Sequence, residues 1–357
     1  MNSSAIATTG AALHTKQKFV FVGTQNYAGN TGLTLICKMR TTFILGAGFS
    51  AAEGFPLCRE LKEDVLAFIK NERHPNHEAS LTPGRGFEDG EAYEGLRHVD
   101  PSGSLGLEEV LIELRKALEH ARPDDPRHRT AIVLKTACAR LLWKRQLSIR
   151  KVSSCYQAFT ERFLKPVEGR NNAVISFNWD ILLERSLTDS GVQWQYHFLP
   201  GFVPVLKPHG SINWSSYLET GGHCTYPGWT RIAPNSTVSY DKWRPLLDPD
   251  PQEINPDLRF MRYPGDPEFP EQNRNVSLIW SAAERVLKEC EAIVFIGYSL
   301  PEYDSYSTEV FGRIVYSKNV SVYNPSPTHL QRFRTVFGDK VHLFEQAFEE
   351  SPYGRRR

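Results

Sequence analysis

The sequence predicts an α/β protein built on a doubly wound parallel sheet, with a helical lobe inserted after the first β–α unit. A short apolar run at 42–45 enters a glycine-rich turn at 46–50, and apolar residues spaced by four then predict a helix over 57–69. Later β-type runs alternate with helical patterns, which is typical of a parallel sheet covered by helices. After the helix at 57–69, three further helical patterns precede the second strand, and they predict the lobe.

The remaining elements follow in chain order. Residues 72–103 are polar and contain Pro and Gly, so we interpret them as a loop. Amphipathic patterns predict three lobe helices, at 107–118, 132–143 and 156–164. We predict further strands at 173–177, 202–206, 292–296 and 320–323, and further helices at 182–187 and 276–290.

The ends of the chain and one internal stretch differ in composition from the rest. Residues 1–38 are rich in Ser, Thr, Ala, Gly and Asn without a period. We expect either that Met39 is the natural start or that these residues form a poorly structured extension. We place a single domain at 39–350, with a mostly helical part at 72–168 and a long irregular segment at 215–275. The basic tail at 351–357 is expected to be solvated and frayed.

Composition excludes several classes of protein. The 357 residues carry a formal net charge of +1, which gives no reason to expect direct binding to nucleic acid or acidic lipid. No two of the six cysteines form a C-x-x-C pair, so we expect no zinc site, and scattered cysteines suit a reducing, cytoplasmic location. No run approaches the roughly 18 apolar residues of a membrane span.

The distinctive residues all fall where predicted strands end. Ligands of open α/β sheets bind outside the carboxyl ends of the strands, so sequence-distant segments can meet there. Five segments qualify: the turn with Gly46, Ala47, Gly48 and Ser50; Asn178 with Asp180; His209 with Gly210; Gly297 with Ser299; and Asn324. Their convergence on one edge is stronger evidence for a site than any one of them.

The glycine turn suits a phosphate. Gly46 and Gly48 permit a tight turn and a close approach of backbone amides to a pyrophosphate, and Ser50 could donate a hydrogen bond to it. The alternative is a turn that only packs a helix on a strand. A dehydrogenase fingerprint would need an acidic residue on a second strand about 20 positions on, where this sequence continues as helix and polar loop.

These motifs, in this order over about residues 40–340, resemble those of the sirtuin family, in its bacterial anti-phage defence branch. The segment from Gly46 to Ser50, with Gly54 and Pro56 after it, resembles the first sirtuin signature, and 176–180 resembles the T-Q-N-x-D segment. The segment 207–214 resembles the histidine–glycine motif of bacterial sirtuin-like defence proteins. Segment 297–304 resembles their G-Y-S-L-P-x-x-D motif, and 324–325 their late ribose-contact strand.

The resemblance implies a Rossmann-like NAD-binding domain. It implies that Asn178 and His209 act at the nicotinamide ribose, that Asp180 supports their loop, and that the dinucleotide is lined by Gly46, Ala47, Gly48, Ser50, Pro56, Gly297, Ser299 and Asn324. It implies NAD hydrolysis that depletes the cofactor during phage infection. It also implies a homo-oligomer and a partner or trigger such as a ring ATPase, a short Argonaute or a phage-derived activator.

Two departures from protein-deacylating sirtuins weigh against peptide deacylation. Their four-cysteine zinc module is absent from the sequence. Their first motif continues Asp-Phe-Arg after the proline, whereas Leu57, Cys58 and Arg59 follow Pro56 here.

The chemistry can be argued from the substrate. Nicotinamide leaves a cationic ribosyl–pyridinium bond as a neutral molecule, so the usual glycosidase pair of carboxylates is not required. Asn178 could orient water or a ribose hydroxyl, and His209 could accept a proton. The alternatives are a turn residue at Asn178, a helix cap at Asp180 and a structural histidine at His209. Three alternative functions also remain for the whole protein: a sensor of NAD or ADP-ribose, an ADP-ribosyltransferase, or a deacylase.

Overall fold

The computed structural model describes residues 39–71, 89–118, 121, 125–167, 171–196, 198, 201–215, 259–261 and 274–355. The predicted extension at 1–38, nearly all of the segment at 215–275 and residues 356–357 of the tail therefore lie outside the described residues.

A parallel sheet of seven strands organises the described residues. Its strands, in chain order, are β1 (Met39–Leu45), β2 (Asn171–Ser176), β3 (Trp194–Gln195), β4 (Val203–Leu206), β7 (Ala292–Ile296), β8 (Asn319–Tyr323) and β9 (Val341–Phe344). Their order across the sheet is β3-β4-β2-β1-β7-β8-β9. Two short strands, β5 (Gly210–Ser215) and β6 (Arg259–Met261), pair antiparallel outside this sheet.

The strand order confirms the predicted fold class. The chain first places β2, β3 and β4 on one side of β1, with β4 between β2 and the edge strand β3, and then crosses to the other side of β1 with β7. This reversal between β1 and β7 is the topological switch point, where open α/β sheets bind their ligands.

Helices cover both faces of the sheet. They are α1 (Ala47–Ser50), α2 (Cys58–Asn71), α3 (Asp89–Val99), α4 (Leu107–Leu118), α5 (Pro126–Ser148), α6 (Ser154–Phe159), α7 (Leu182–Asp189), α8 (Arg274–Glu289), α9 (Ser305–Ile314) and α10 (Pro327–Phe337). Alternation along β1 shows the two layers, because the Thr42 hydroxyl donates to Val286 O of α8, whereas the ring of Phe43 packs on Phe159 of α6.

The register places the strand ends level with one another. Leu45 pairs with Ser176 on one side and with Ile296 on the other, and Ile296 pairs with Tyr323. The residues that follow these strands therefore leave the sheet at one height. This is the edge at which the sequence predicted a site.

The lobe differs from its prediction in two ways. Part of the predicted loop at 72–103 is the helix α3, because Leu96 is buried against α5 and the apolar spacing of Tyr93, Leu96 and Val99 outweighs the polar composition. The third predicted lobe helix, at 156–164, overlaps α6 and packs on the sheet, not in the lobe. Phe159 of α6 lies against Phe43 of β1, with ring centroids 5.0 Å apart. The lobe is thus formed by α3, α4 and α5, packed with α2.

The tail was also predicted wrongly in its first part. Ser351 is fully buried, and the ring of Tyr353 lies 5.4 Å from that of Phe43. Apolar packing therefore fixes residues 351–354, although the segment ends in a run of arginines.

Candidate active site at the strand ends

The two glycine turns of the switch point are packed directly on each other. The amide of Gly46 donates to Ile296 O and that of Gly48 to Gly297 O, at 3.1 and 3.0 Å. A Cβ built on Gly48 would lie 2.8 Å from Gly297 Cα, and one built on Gly297 would lie 2.4 Å from the carbonyl carbon of Gly48. Backbone contact between β1 and β7 therefore requires these glycines, and two of the amides expected to face a pyrophosphate are bonded within the protein.

Three side chains at the ends of β1 and β2 form a hydrogen-bonded chain. The Ser50 hydroxyl donates to Asp180 Oδ2 at 2.6 Å and accepts from Asn178 Nδ2 at 2.9 Å. Asp180 also accepts from the amide of Leu182 at the start of α7, so it combines the capping role with a link to the site. The only hydrogen of the Ser50 hydroxyl is used by Asp180, which leaves none for a phosphate.

This chain of bonds fixes how Asn178 is presented. Its Nδ2 donates both to Ser50 and to Gly46 O, at 2.9 Å each, so both N–H groups of the amide are occupied. The carbonyl oxygen Oδ1 has no partner among the described residues. Asn178 therefore offers a ligand a hydrogen-bond acceptor, in an orientation assigned from the network around it.

His209 lies beside a buried carboxylate from the other half of the sheet. Its Nε2 is 3.4 Å from Asp304 Oδ2, and both residues are 2% exposed. Asp304 also caps α9 by accepting from the amide of Ser307, and it accepts from the Tyr298 hydroxyl at 2.9 Å. Burial acts to raise the pKa of Asp304, but the nearby charge of His209, together with these other donors, holds it below its ordinary value.

A buried ion pair lies beneath the two site segments. Lys207 Nζ is 2.9 Å from Glu184 Oε1, and it also donates to the carbonyl of Asp180 and to the Ser211 hydroxyl. Trp179 Nε1 donates to His209 O at 3.0 Å, which ties the same segments together again. Burial raises the pKa of Glu184 despite the opposing charge of Lys207. These contacts hold the loop of Asn178 against the loop of His209.

Phe177 connects Asn178 and His209 more directly. Its ring lies 4.7 Å from the His209 ring, edge to face, and stacks on Tyr298 at 4.6 Å. The predicted pair therefore lies at one strand-end edge, on neighbouring segments.

Pro56 is half-buried and stands in the segment that leads into α2. The other predicted residues directly follow strands and lie along the same edge, where Ala47, Gly48, Gly297 and Ser299 are half-buried. Asn324 is buried: its Nδ2 donates to Tyr298 O at 3.1 Å, and its Oδ1 accepts from the amide of Ser326. Asn324 thus links the ends of β7 and β8, while the half-buried residues form the accessible part of the switch point.

The sequence did not single out every residue of this cluster. Asp304 stood in a quoted motif without a role, and its signal was its place before the helical pattern of α9. Tyr298 and Phe177 stood only inside the motif segments 297–304 and 176–180, without a role of their own. The bond between Tyr303 of the same turn and Glu108 of α4 had no signal in the sequence, because 195 positions separate them.

Elsewhere in the described part of the chain, two surface depressions of about 190 and 390 Å³ adjoin α8 and include Glu284 and Lys288. The first also includes Lys318 and so lies near the amino ends of β7 and β8, opposite the site. Across the described ranges no three His, Cys, Asp or Glu side chains are grouped to hold a metal ion. None of the described helices combines the length and apolarity that crossing a membrane requires.

Comparisons with known proteins add little to this geometry. No family model matches the chain, and no curated protein matches it. Among solved structures, the chain is similar to that of Sir2Tm bound to a propionylated peptide, with 14% identity, 87% of this chain and 88% of that chain covered, and a TM-score of 0.37.

Proposed function

We propose that this protein is an NAD glycohydrolase, which hydrolyses the bond between nicotinamide and ribose to give nicotinamide and ADP-ribose. One observation carries the proposal: at the strand ends beside the switch point, Asn178, whose amide hydrogens are held by Gly46 and Ser50, lies on a segment next to that of His209, whose ring lies beside the buried carboxylate of Asp304. Dinucleotides are typical ligands of such a switch point.

In the proposed reaction, the role of Asn178 is to accept hydrogen bonds. Its carbonyl oxygen can receive one from a ribose hydroxyl or from the attacking water, because its two N–H groups are held by Gly46 and Ser50. A fixed acceptor of this kind orients the reacting groups without reorganisation, which is the main contribution of a positioning network.

The chemistry asked of His209 is to accept a proton. The carboxylate of Asp304 orients the ring and stabilises the imidazolium that forms. Because the pKa of Asp304 is lowered, this carboxylate is ionised throughout the neutral range. General-base action of this type contributes about 10²- to 10⁴-fold to a rate.

The motif resemblance supports a biological setting for the reaction. The motifs of the five segments, and their order along the chain, resemble those of bacterial sirtuin-like defence proteins. We therefore propose that the hydrolase depletes NAD during phage infection. A homo-oligomer and an activating partner of the kinds named above belong to the same proposal.

The test uses purified full-length protein and NAD labelled in both the nicotinamide and the adenine. The proposal expects labelled nicotinamide and labelled ADP-ribose as the only products, in equal amounts. Adenine label retained on macromolecules would instead indicate transfer, and NAD-dependent loss of acetyl from a peptide would indicate deacylation.

Release must be measured for the protein alone and with candidate activators. Binding of NAD without release of nicotinamide under every condition would contradict hydrolysis and favour a sensor. Asn178→Ala and His209→Ala are the matched variants, and both must lower the rate of release by at least roughly 100-fold for the assignment to stand.

A further inference from the structure

Glu108 of α4 connects the helical lobe to the strand-end site. Its Oε2 accepts from the Tyr303 hydroxyl at 2.7 Å and lies 3.8 Å from the Sγ of Cys58. Tyr303 stands in the turn after β7, and Cys58 begins α2, which follows the glycine turn. One carboxyl group therefore joins the lobe to both halves of the switch point.

The two donors to the Glu108 carboxyl, the Cys58 thiol and the Tyr303 hydroxyl, stay protonated at neutral pH. Burial, together with the charge of Glu108, raises the pKa of Cys58 to about 12. Burial and the same charge raise the pKa of Tyr303 well above its ordinary value. The Cys58 thiol is therefore a hydrogen-bond donor here and not a nucleophile.

The contact with Tyr303 leads directly to the candidate active site. Tyr303 precedes Asp304, whose carboxylate lies 3.4 Å from His209 Nε2. The charges of His209 and Asp304 also act on Glu108, where burial raises the pKa of the carboxyl and His209 opposes that rise. Glu108, Asp304 and His209 are thus members of one electrostatic cluster.

The lobe holds Glu108 in a defined place. Lys62 forms a buried ion pair with Asp100 at 2.7 Å and donates to Gly103 O, which fixes the loop before α4. Leu107 and Val110, on either side of Glu108, are fully buried. A side chain anchored in this way can transmit the position of the lobe to a neighbouring turn.

We propose that Glu108, acting through Tyr303, is a positioning residue of the active site: it holds the turn that carries Asp304, and so sets how Asp304 engages His209. The inference rests on the proposed function, and it adds to that function a dependence on the lobe. A partner or an oligomer contact that moved the lobe would change the His209–Asp304 pair by this route.

The first measurement is nicotinamide release by single and double variants. We expect Glu108→Ala and Tyr303→Phe each to lower kcat by roughly 10- to 100-fold, with KM within about threefold, because the turn loses its anchor. Glu108→Gln keeps an acceptor for Tyr303 and should retain at least about a third of the wild-type kcat. The variant with both substitutions should be no slower than Glu108→Ala alone, since each substitution removes the same Glu108–Tyr303 contact.

The second measurement does not depend on turnover. The side-chain ¹⁵N resonances of His209, assigned with a His209→Gln variant, should move in Glu108→Ala and Tyr303→Phe at constant pH. The matched control is Glu113→Ala, because Glu113 lies on the same helix in an exposed pair with Lys116. In this control neither kcat nor the resonances should change.

The outcomes separate this inference from the proposed function. If the wild-type protein releases no nicotinamide, the proposed function fails, whereas the resonances still test the coupling. Unmoved His209 resonances overturn the inference, as does full activity in Tyr303→Phe. An activity loss matched by a fall in the thermal unfolding midpoint, or Glu108→Gln as slow as Glu108→Ala, also overturns it.

Discussion

At the residue scale, the orientation of Asn178 decides what chemistry it can do. The sequence predicted its place at a strand end, because a β-type run precedes it. It did not predict which atom faces the ligand, since that depends on Ser50 and Gly46, about 130 positions earlier in the chain. The tertiary contact therefore converts a general polar residue into a specific acceptor.

Lys207 is the residue whose loss should destabilise the site region most. Lys207→Met leaves the carboxylate of Glu184 buried without its cation, which costs about 3–5 kcal/mol of unfolding free energy. The control is Lys288→Met, because that lysine pairs with Glu284 at the surface and should cost less than about 1 kcal/mol. Urea unfolding of both variants measures the difference, and equal costs would contradict the role given to the pair.

Asp304 should make the unfolding free energy depend on pH, with greater stability at neutral than at acidic pH. Its pKa is lowered in the folded state, so its contribution is present above the unfolded value of about 4 and is lost as the pH falls through the folded value. Asp304→Asn keeps a residue that caps helices well but loses the charge. Wild type should exceed the variant in unfolding free energy by about 1–3 kcal/mol at pH 7, and this difference should shrink below about pH 4.

The control for that measurement is Asp339→Asn, since the Asp339 side chain is 99% exposed. It should match the wild-type unfolding free energy at both pH values. A difference between wild type and Asp304→Asn that stays constant with pH would show that the charge of Asp304 is not the stabilising feature.

At the element scale, the contact of the β1 and β7 turns defines the switch point. We expected glycines there for a phosphate, and the structure gives them a packing reason, because each turn occupies the space that a side chain on the other would need. The phosphate-binding interpretation and the packing role are compatible, because close packing of the turns brings together the polar residues that follow the strands in both halves of the sheet.

Gly297→Ala tests this contact. Gly297 has a φ of +63°, and an added Cβ would meet the backbone of Gly48 at 2.4 Å, so we expect a loss of about 2–5 kcal/mol of unfolding free energy. Gly312→Ala in α9 is the matched control, because its Cβ would have nothing within 4 Å and alanine favours a helix by up to about 1 kcal/mol. Similar stabilities of the two variants would contradict the packing role.

The elements that the sequence missed are short or have weak patterns. Strands β3 and β9 contain two and four residues, too few for alternation to show. The helix α10 carried a readable signal, since Ser326 caps it and Pro327 occupies its first position, but this proline-rich segment was interpreted only as the end of a strand. The long strands were predicted within about three residues because their apolar runs are continuous.

At the scale of the whole molecule, the sequence predicted which segments meet but not how they are connected. The position of the site could be predicted because strand ends are visible as local patterns. One rule, that open α/β sheets bind ligands at the carboxyl ends of their strands, then brings these ends together. The Lys207–Glu184 pair, the Glu108–Tyr303 contact and the packing of the tail are tertiary. Each joins positions far apart in the chain, and a single sequence contains no signal for such pairings.

The most direct test of the account is the rate of nicotinamide release from NAD by wild type, Asn178→Ala and His209→Ala, with Asp339→Asn as control. The account predicts release by wild type and the control, and at least a roughly 100-fold fall in both site variants. Their thermal unfolding midpoints should stay within a few degrees of wild type. Release that survives either substitution in a folded protein would contradict the assignment of these two residues to the chemistry.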